Sequence, residues 1–403
     1  MISEKYLEDA NLVTKDELLE QVSLSVLRNA SAGIPLIMDL VKGGIKKEPL
    51  EIFDINGKPL FYDYTIKKGV ETIGTVRTGA SRILGSPVIA YETGMRYWDF
   101  ETSVKKLTAN VKKEYPMQKI LSTKLVCYSY PKLGVMFELV NKQERRSRLI
   151  FDVADYSLIP EKPERTDIEG AYAWSFYDSL SEEVRKLRLK RYDEFNKWRV
   201  KIPEKTRKNL RISKTLTPFV DKIICKIKIN ATKQLQFCTH YNYNEARSHH
   251  CFVLHAQQVN DYCAVATCQM ILCYYRYYYT QGQIAPALGY TAGSGCPPDQ
   301  SAGYEQLSCN HLDATYDTSP TWEEARDQIN ALHPLKSGIP GHARACAGYS
   351  YIWWLCDGIK DKKLYIYDPW PWNADYKLGG AVYWEDWDSV THTNYVFTRL
   401  LCP

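Results

Sequence analysis

The 403 residues contain no C-x-x-C pair, no apolar run near the ~18 residues a membrane span requires, and no basic start followed by an apolar leader. The first absence argues against a compact metal site, and the second excludes a membrane-spanning helix. The third implies a cytosolic protein, or a secreted one whose leader is missing, since the opening MISEKYLEDANLVTKDELLEQ is acidic and helical in pattern. Cysteine is nearly absent from the first half, because 11 of the 12 lie between Cys225 and Cys402. Disulfides in an oxidising compartment are one reading of that cluster. Cys263, Cys268 and Cys273 recur every five residues, which turns a helix by about 140° at each step, so they cannot converge on one ion. A looser set, Cys238, His240, His249, His250, Cys251 and His255, has zinc-ligand residue types but no usual spacing. It reads as ordinary thiols and surface histidines, and no metal or cofactor is expected.

Charge of one sign is also scarce overall, the net being only +5, but it is unevenly placed. Residues 184–233 hold 17 Lys and Arg against 4 Asp and Glu, a balance of +13, whereas residues 251–403 hold 9 against 15, a balance of −6. A basic stretch directly before an acidic one suggests docking within the chain, or a solvated face, rather than a nucleic-acid partner. No membrane partner is expected.

Residues 1–158 read as a sheet-rich N-terminal domain. Apolar residues from Leu7 to Leu27 suggest an interrupted helix, ended by Gly33 and Pro35. Asn56-Gly57 between two β-rich runs is a hairpin signal, and further strands follow in VETIGTVRT, KLVCYSYPKLGVMFELV and RRSRLIFDVADYSLI. Residues 159–237 form a connector: the charged, proline-containing PEKPERTD, then an amphipathic helix marked by Tyr177, Leu180, Val184, Leu187, Phe195 and Trp198, stopped at Pro203. FVDKIICKIKIN alternates as a strand would. Residues 238–403 form the last domain.

Chemistry concentrates in HAQQVNDYCAVATCQMILCYYRYYYTQGQIA. Asn260 or Asp261 can cap a helix whose first turn holds Cys263, where unpaired N–H groups favour thiolate over thiol. Gln257, six residues upstream, can aim its amide at the same point and hold an oxyanion with the Cys263 N–H. Downstream, GHARACAGYSYIWWLCDG alternates as a strand and DKKLYIYDPWPW returns as its partner, ending at Asp368. His342 and Asp368 can therefore meet, the carboxylate holding the imidazole's tautomer.

In this order and context, Gln257, Cys263, His342 and Asp368 resemble the papain-like cysteine peptidases, in the divergent microbial branch close to the C39-like peptidases. The likeness covers 238–403 and rests on the Gln-to-Cys spacing, the Cys-led helix, the GHA at His342 and Asp-Pro-Trp at 368–370. Papain has Asn followed by Ser-Trp where this chain has Asp368 and Trp370, and Ala264 stands where the family usually has Trp or Gly. The resemblance implies an α+β fold, with a papain-like catalytic domain after a mainly antiparallel-sheet prodomain with helices. It implies endopeptidase activity on a peptide or protein substrate: Cys263 as nucleophile, His342 as base, Asp368 orienting it, and Gln257 in the oxyanion hole. RILGSPVIAYETG loosely resembles the prodomain of streptopain-type peptidases, so the N-terminal half is expected to be an inhibitory propeptide, removed by self-cleavage between about residues 200 and 245. The alternatives are a Cys-His-Asp acyltransferase or transglutaminase, and a catalytically inactive binding protein.

Overall fold

The computed structural model describes residues 11–161, 168–224, 232–237, 239–241, 249–354 and 358–401, with side chains outside 221–251. Most of the charged linker, the chain start and five cysteines (Cys225, Cys238, Cys251, Cys356 and Cys402) therefore lie outside it as residues or as side chains. Of the looser Cys and His set, only the His255 side chain is described, and no cluster of metal-ligand residues occurs among the described residues.

The first helix, α1 (Lys15–Ser31), starts where Thr14 accepts the Glu17 amide, with Asp16 and Glu17 at its positive end and Arg28 at its negative end. Gly33, at φ 68°, turns the chain out of it, and a short α2 (Ile37–Leu40) follows. The strands β1 (Gly44–Ile45), β2 (Leu50–Asp54) and β3 (Pro59–Lys68) come next. β2 and β3 form the hairpin expected at Asn56-Gly57: Gly57 takes φ 87°, and the Asn56 side chain accepts the Lys58 amide. β4 (Glu71–Gly79) and β5 (Val88–Thr93) extend this meander, and α3 (Phe100–Glu114) is capped by Asp99. β6 (Lys119–Ser129), β7 (Lys132–Val140) and β8 (Arg146–Asp152) complete the N-terminal sheet.

The basic connector is helical: α4 (Glu182–Lys201), α5 (Glu204–Ile212) and α6 (Thr217–Ile224). α4 buries Arg188, Tyr192, Phe195 and Trp198 and leaves Leu187 exposed. Residues 217–224 are a helix, not the start of the strand that FVDKIICKIKIN suggested: half-buried Phe219 and Val220 pack on the apolar cluster lined by α1, and the Thr217 hydroxyl donates to the Val41 carbonyl. The positive charge is shared between two acidic partners. Arg191 pairs with Asp386 at 2.7 Å and Asp388 at 2.5 Å in the C-terminal domain, whereas Arg199, Arg207 and Arg211 pair with Glu20 and Asp16 of α1.

β9 (Thr232–Phe237), β10 (Thr239–Tyr241) and β11 (His249–Cys251) precede four helices, α7 (Cys263–Tyr274), α8 (Gln281–Ala287), α9 (Ser301–Leu307) and α10 (Trp322–Asn330). β12 (Leu312–Asp317), β13 (Leu335–Ile339), β14 (His342–Trp354), β15 (Ile359–Asp368), β16 (Ala381–Asp386) and β17 (Asn394–Leu400) form the C-terminal sheet, with β9 on β14. The fold is α+β and its strands are mostly antiparallel. Three residue pairs join the two halves: Tyr383 to Glu92, Trp384 to Tyr91, and Glu385 to Ala90, so β16 and β5 make one 15-stranded sheet of the described strands.

The cores follow the same seam. Leu18, Val22, Tyr64 and Tyr91 from the N-terminal half share one buried cluster with Tyr192 and Trp198 of α4 and with Ile352, Trp354 and Trp384 of the C-terminal half. The Trp384 indole also donates to the Pro35 carbonyl at 3.0 Å. No described helix is long and apolar enough to cross a membrane. Because Trp384 is buried on both sides of the seam, Trp384→Ala is expected to cost about 3–5 kcal/mol. Far-ultraviolet dichroism and tryptophan fluorescence are expected to report one common urea transition for the intact chain; two separate transitions would contradict a shared core.

Candidate active site

α7 begins at Cys263, but its cap is Tyr262, with no side-chain hydrogen bond. Asn260 and Asp261, the capping residues suggested by the sequence, are used elsewhere. The Asn260 amide donates to Ser157 at 2.6 Å, and Asp261 accepts the Tyr290 hydroxyl and the Gly293 amide. The helix is buried along nearly its whole length between β13 and β14 and the neighbouring α8, polar Thr267 and Gln269 included. This burial fixes Cys263 at the buried end of a rigid rod.

β14 presents His342 at its first residue, and β15 presents Asp368 at its last. The His342 Nε2–H donates to Asp368 Oδ1 at 2.8 Å. The same oxygen accepts the Trp370 amide at 2.9 Å, and Oδ2 accepts the Tyr383 hydroxyl at 2.8 Å. With its proton held on Nε2, the imidazole turns a bare Nδ1 into the interior, where it has no hydrogen-bond partner. The backbone amides of Ala343 and Ala264 act to lower the Cys263 thiol, so the sulfur lies in the neighbourhood of the strand residue that follows His342. Cys263, His342, Asp368 and Gln257 are all fully buried.

Electrostatics set the resting charges. Burial pushes the Cys263 thiol up, only partly countered by the Lys132 ammonium, so the helix start does not make this thiol acidic as its position suggested. Burial also lowers His342 to about 4, against the pull of Asp368. Asp368 is held below the usual carboxylate range: burial raises it, but His342, Arg344 and the Trp370 amide outweigh that. The resting site is thus a neutral thiol, a neutral imidazole and an ionised carboxylate.

Gln257 departs from its expected geometry. Its amide nitrogen donates to the carbonyls of Val259 (3.1 Å) and Asn260, and its oxygen has no partner, so the donor faces the loop before Cys263. Two side chains that the sequence did not single out enter the site instead. Lys132, at the start of β7 in the N-terminal half, is fully buried and donates to the carbonyls of Gly170 (2.6 Å) and Gly341 (3.2 Å), the latter immediately before His342. Glu169 is buried against Lys336 at 2.6 Å and accepts from Gln300 at 2.8 Å. Further N-terminal contacts surround the triad: Asp152 accepts the Trp370 indole at 2.9 Å, and the Tyr130 hydroxyl donates to Glu385 at 2.9 Å. Glu385 in turn pairs with buried Arg344 at 2.5 Å. No local pattern marks Lys132 or Glu169, because their significance arises only when distant segments meet.

Residues 239–393 match the family model described as the Peptidase C39 like family. No curated protein has a matching sequence. A solved structure, the crystal structure of a double glycine motif protease from an AMS/PCAT transporter in complex with the leader peptide, is 17% identical, covering 37% of this chain and 91% of its own. Its TM-score is 0.25.

Burial makes two outcomes measurable. In the intact chain, iodoacetamide is expected to modify exposed Cys309 well before Cys263, read by peptide mapping; a faster Cys263 would contradict the closed site. The pH dependence has a definite sign. His255 and His342, both lowered to about 4, bind protons in the unfolded chain at higher pH than in the folded one, so they withdraw stability as pH falls from about 6.5 towards 4. Asp54 and Asp152, raised to about 6, act in the opposite sense over the lower part of that window. His342→Gln is expected to flatten the acid-side loss of the urea midpoint, and Asp54→Asn to steepen it.

Proposed function

We propose that the C39-like peptidase segment of this chain is a cysteine endopeptidase held latent by its own N-terminal half and activated by self-cleavage. The observation that carries the reading is the His342 imidazole: its Nε2–H is committed to Asp368, its bare Nδ1 is buried without a partner, and the amide of the next residue, Ala343, acts on the Cys263 thiol. In the reaction, Nδ1 takes the Cys263 proton as sulfur attacks the peptide carbonyl. The imidazolium then returns that proton to the leaving amine. Asp368 stabilises the imidazolium, and water attacks the thioester with His342 again as base.

Latency has a structural basis in this reading. The nucleophile has no exposed surface, its thiol is neutral, and the Gln257 donor is engaged with Val259 and Asn260. Opening the cleft restores water to Cys263 and frees the Gln257 amide for the oxyanion. The N-terminal contacts at Lys132, Tyr130 and Asp152 are those that opening must break.

The test is hydrolysis of casein by the processed chain. His342→Ala is expected to lower kcat by about 10³-fold. Asp368→Asn is expected to retain activity within about tenfold, because the amide oxygen can still accept from His342 and Trp370 while its nitrogen meets a hydroxyl, that of Tyr383, able to accept. A His342→Ala enzyme of near-normal rate would exclude the assignment.

A further inference from the structure

One stretch of backbone outside the C39-like segment lies in the site itself. Glu169 makes an isolated antiparallel bridge with Cys296: its amide donates to the Cys296 carbonyl at 3.0 Å, and the Cys296 amide returns to the Glu169 carbonyl at 3.0 Å. The next residue, Gly170, donates its amide to the Gly341 carbonyl at 3.3 Å. The Gly170 carbonyl accepts the Lys132 ammonium at 2.6 Å. This is how an extended peptide is gripped by a cleft, with main-chain bonds on one wall and the neighbour of the imidazole on the other.

The fit is close enough to specify the residue. A Cβ on Gly170 would lie 1.9 Å from the Ser294 carbonyl oxygen, and one on Gly295 would lie 2.1 Å from the Glu169 oxygen. Neither contact is tolerable against backbone, so both glycines are required for the segment to seat. Cys263 and Cys296 share one buried cluster with Ala343, and the charges of Lys132 and Glu169 are both felt at the Cys263 sulfur. The carbonyl held by Lys132 therefore sits in the neighbourhood of the nucleophile, polarised by an ammonium while Gln257 is turned away.

Resting on the peptidase reading above, the geometry points to Gly170–Ala171 as the bond that the enzyme cuts in its own chain. Cys263 sulfur bonds to the Gly170 carbonyl carbon, its proton passing to His342. The carbon–nitrogen bond to Ala171 breaks, and that nitrogen takes the proton. Departure of the Ala171 end opens the site to water, which cleaves the thioester, leaving a carboxylate on Gly170 and an amino terminus on Ala171. Lys132 stabilises the oxyanion at Gly170, the role Gln257 takes for other substrates. The site lies upstream of the 200–245 stretch, where residues 200–224 are largely helical and bound to α1 and residues 232–237 are paired with β14.

The experiment follows the full-length chain by intact mass and N-terminal sequencing, beside Cys263→Ala, Gly170→Val and Lys132→Met, each checked for fold by circular dichroism. Fragments 1–170 and 171–403 are expected from the parent chain, at a first-order rate unchanged by tenfold dilution, and none from Cys263→Ala. Lys132→Met is expected to slow the cut by about 100-fold, the usual loss for one oxyanion donor, and Gly170→Val to abolish it. A Cys263-dependent cut elsewhere or a rate that rises with concentration would overturn the inference and leave the peptidase reading standing; an intact chain that hydrolyses casein would overturn the inference and the latency, and leave only the peptidase activity. A chain that neither cuts itself nor hydrolyses casein, and whose Cys263 resists a peptidyl epoxide even after limited proteolysis within residues 1–158, would remove both.

Discussion

A fully buried ammonium governs how the two halves meet. Lys132 sits where transfer from water is costly unless donors find acceptors, and the structure supplies them as the carbonyls of Gly170 and Gly341. These carbonyls belong to the connector and to the strand start that carries His342, so solvating one cation brings three distant segments into register. Its field also lowers His342 and opposes the burial penalty on the Cys263 thiol. Loss of any of the three segments would leave a charge stranded, which makes the closed arrangement a collective property of both halves.

The triad is conservative in charge for the same reason. Only Asp368 is ionised, and it can be so because three donors converge on its two oxygens: Nε2–H of His342, N–H of Trp370 and the hydroxyl of Tyr383. A thiolate–imidazolium pair would require similar solvation, and the closed site offers the sulfur only the Ala343 and Ala264 amides. In the proposed peptidase, access of water and ionisation of Cys263 would be coupled through one variable, the position of the N-terminal half.

What the sequence disclosed was local. The turn at Asn56-Gly57, the helix opened by Cys263, and the strands that begin at His342 and end at Asp368 all follow from periodicity and turn chemistry within about 20 residues. The β5–β16 pairing that fuses two sheets carries no such mark, because edge strands with suitable alternation are many and the choice among them depends on cores that form together. Lys132 reads as one more charge after a proline, and Glu169 as the tail of a charged linker. Two of the overturned expectations have a common cause. Phe219 and Val220 alternate with polar residues yet coil because α1 offers an apolar seat, and Cys263 occupies a helix start yet stays a thiol because burial outweighs the local field.

The single sheet running through both halves separates two events that a linear view of the chain would merge. A break in the backbone near residue 170 interrupts no ladder: β5 remains zipped to β16, the Arg199 and Arg207 pairs with Glu20 still clasp the connector to α1, and the cluster around Trp384 still mixes residues from either side. The molecule would then be two polypeptides and one body. Its covalent history and its shape would run on separate clocks, the first set by chemistry at one peptide bond and the second by the slower parting of three residue pairs and a shared core.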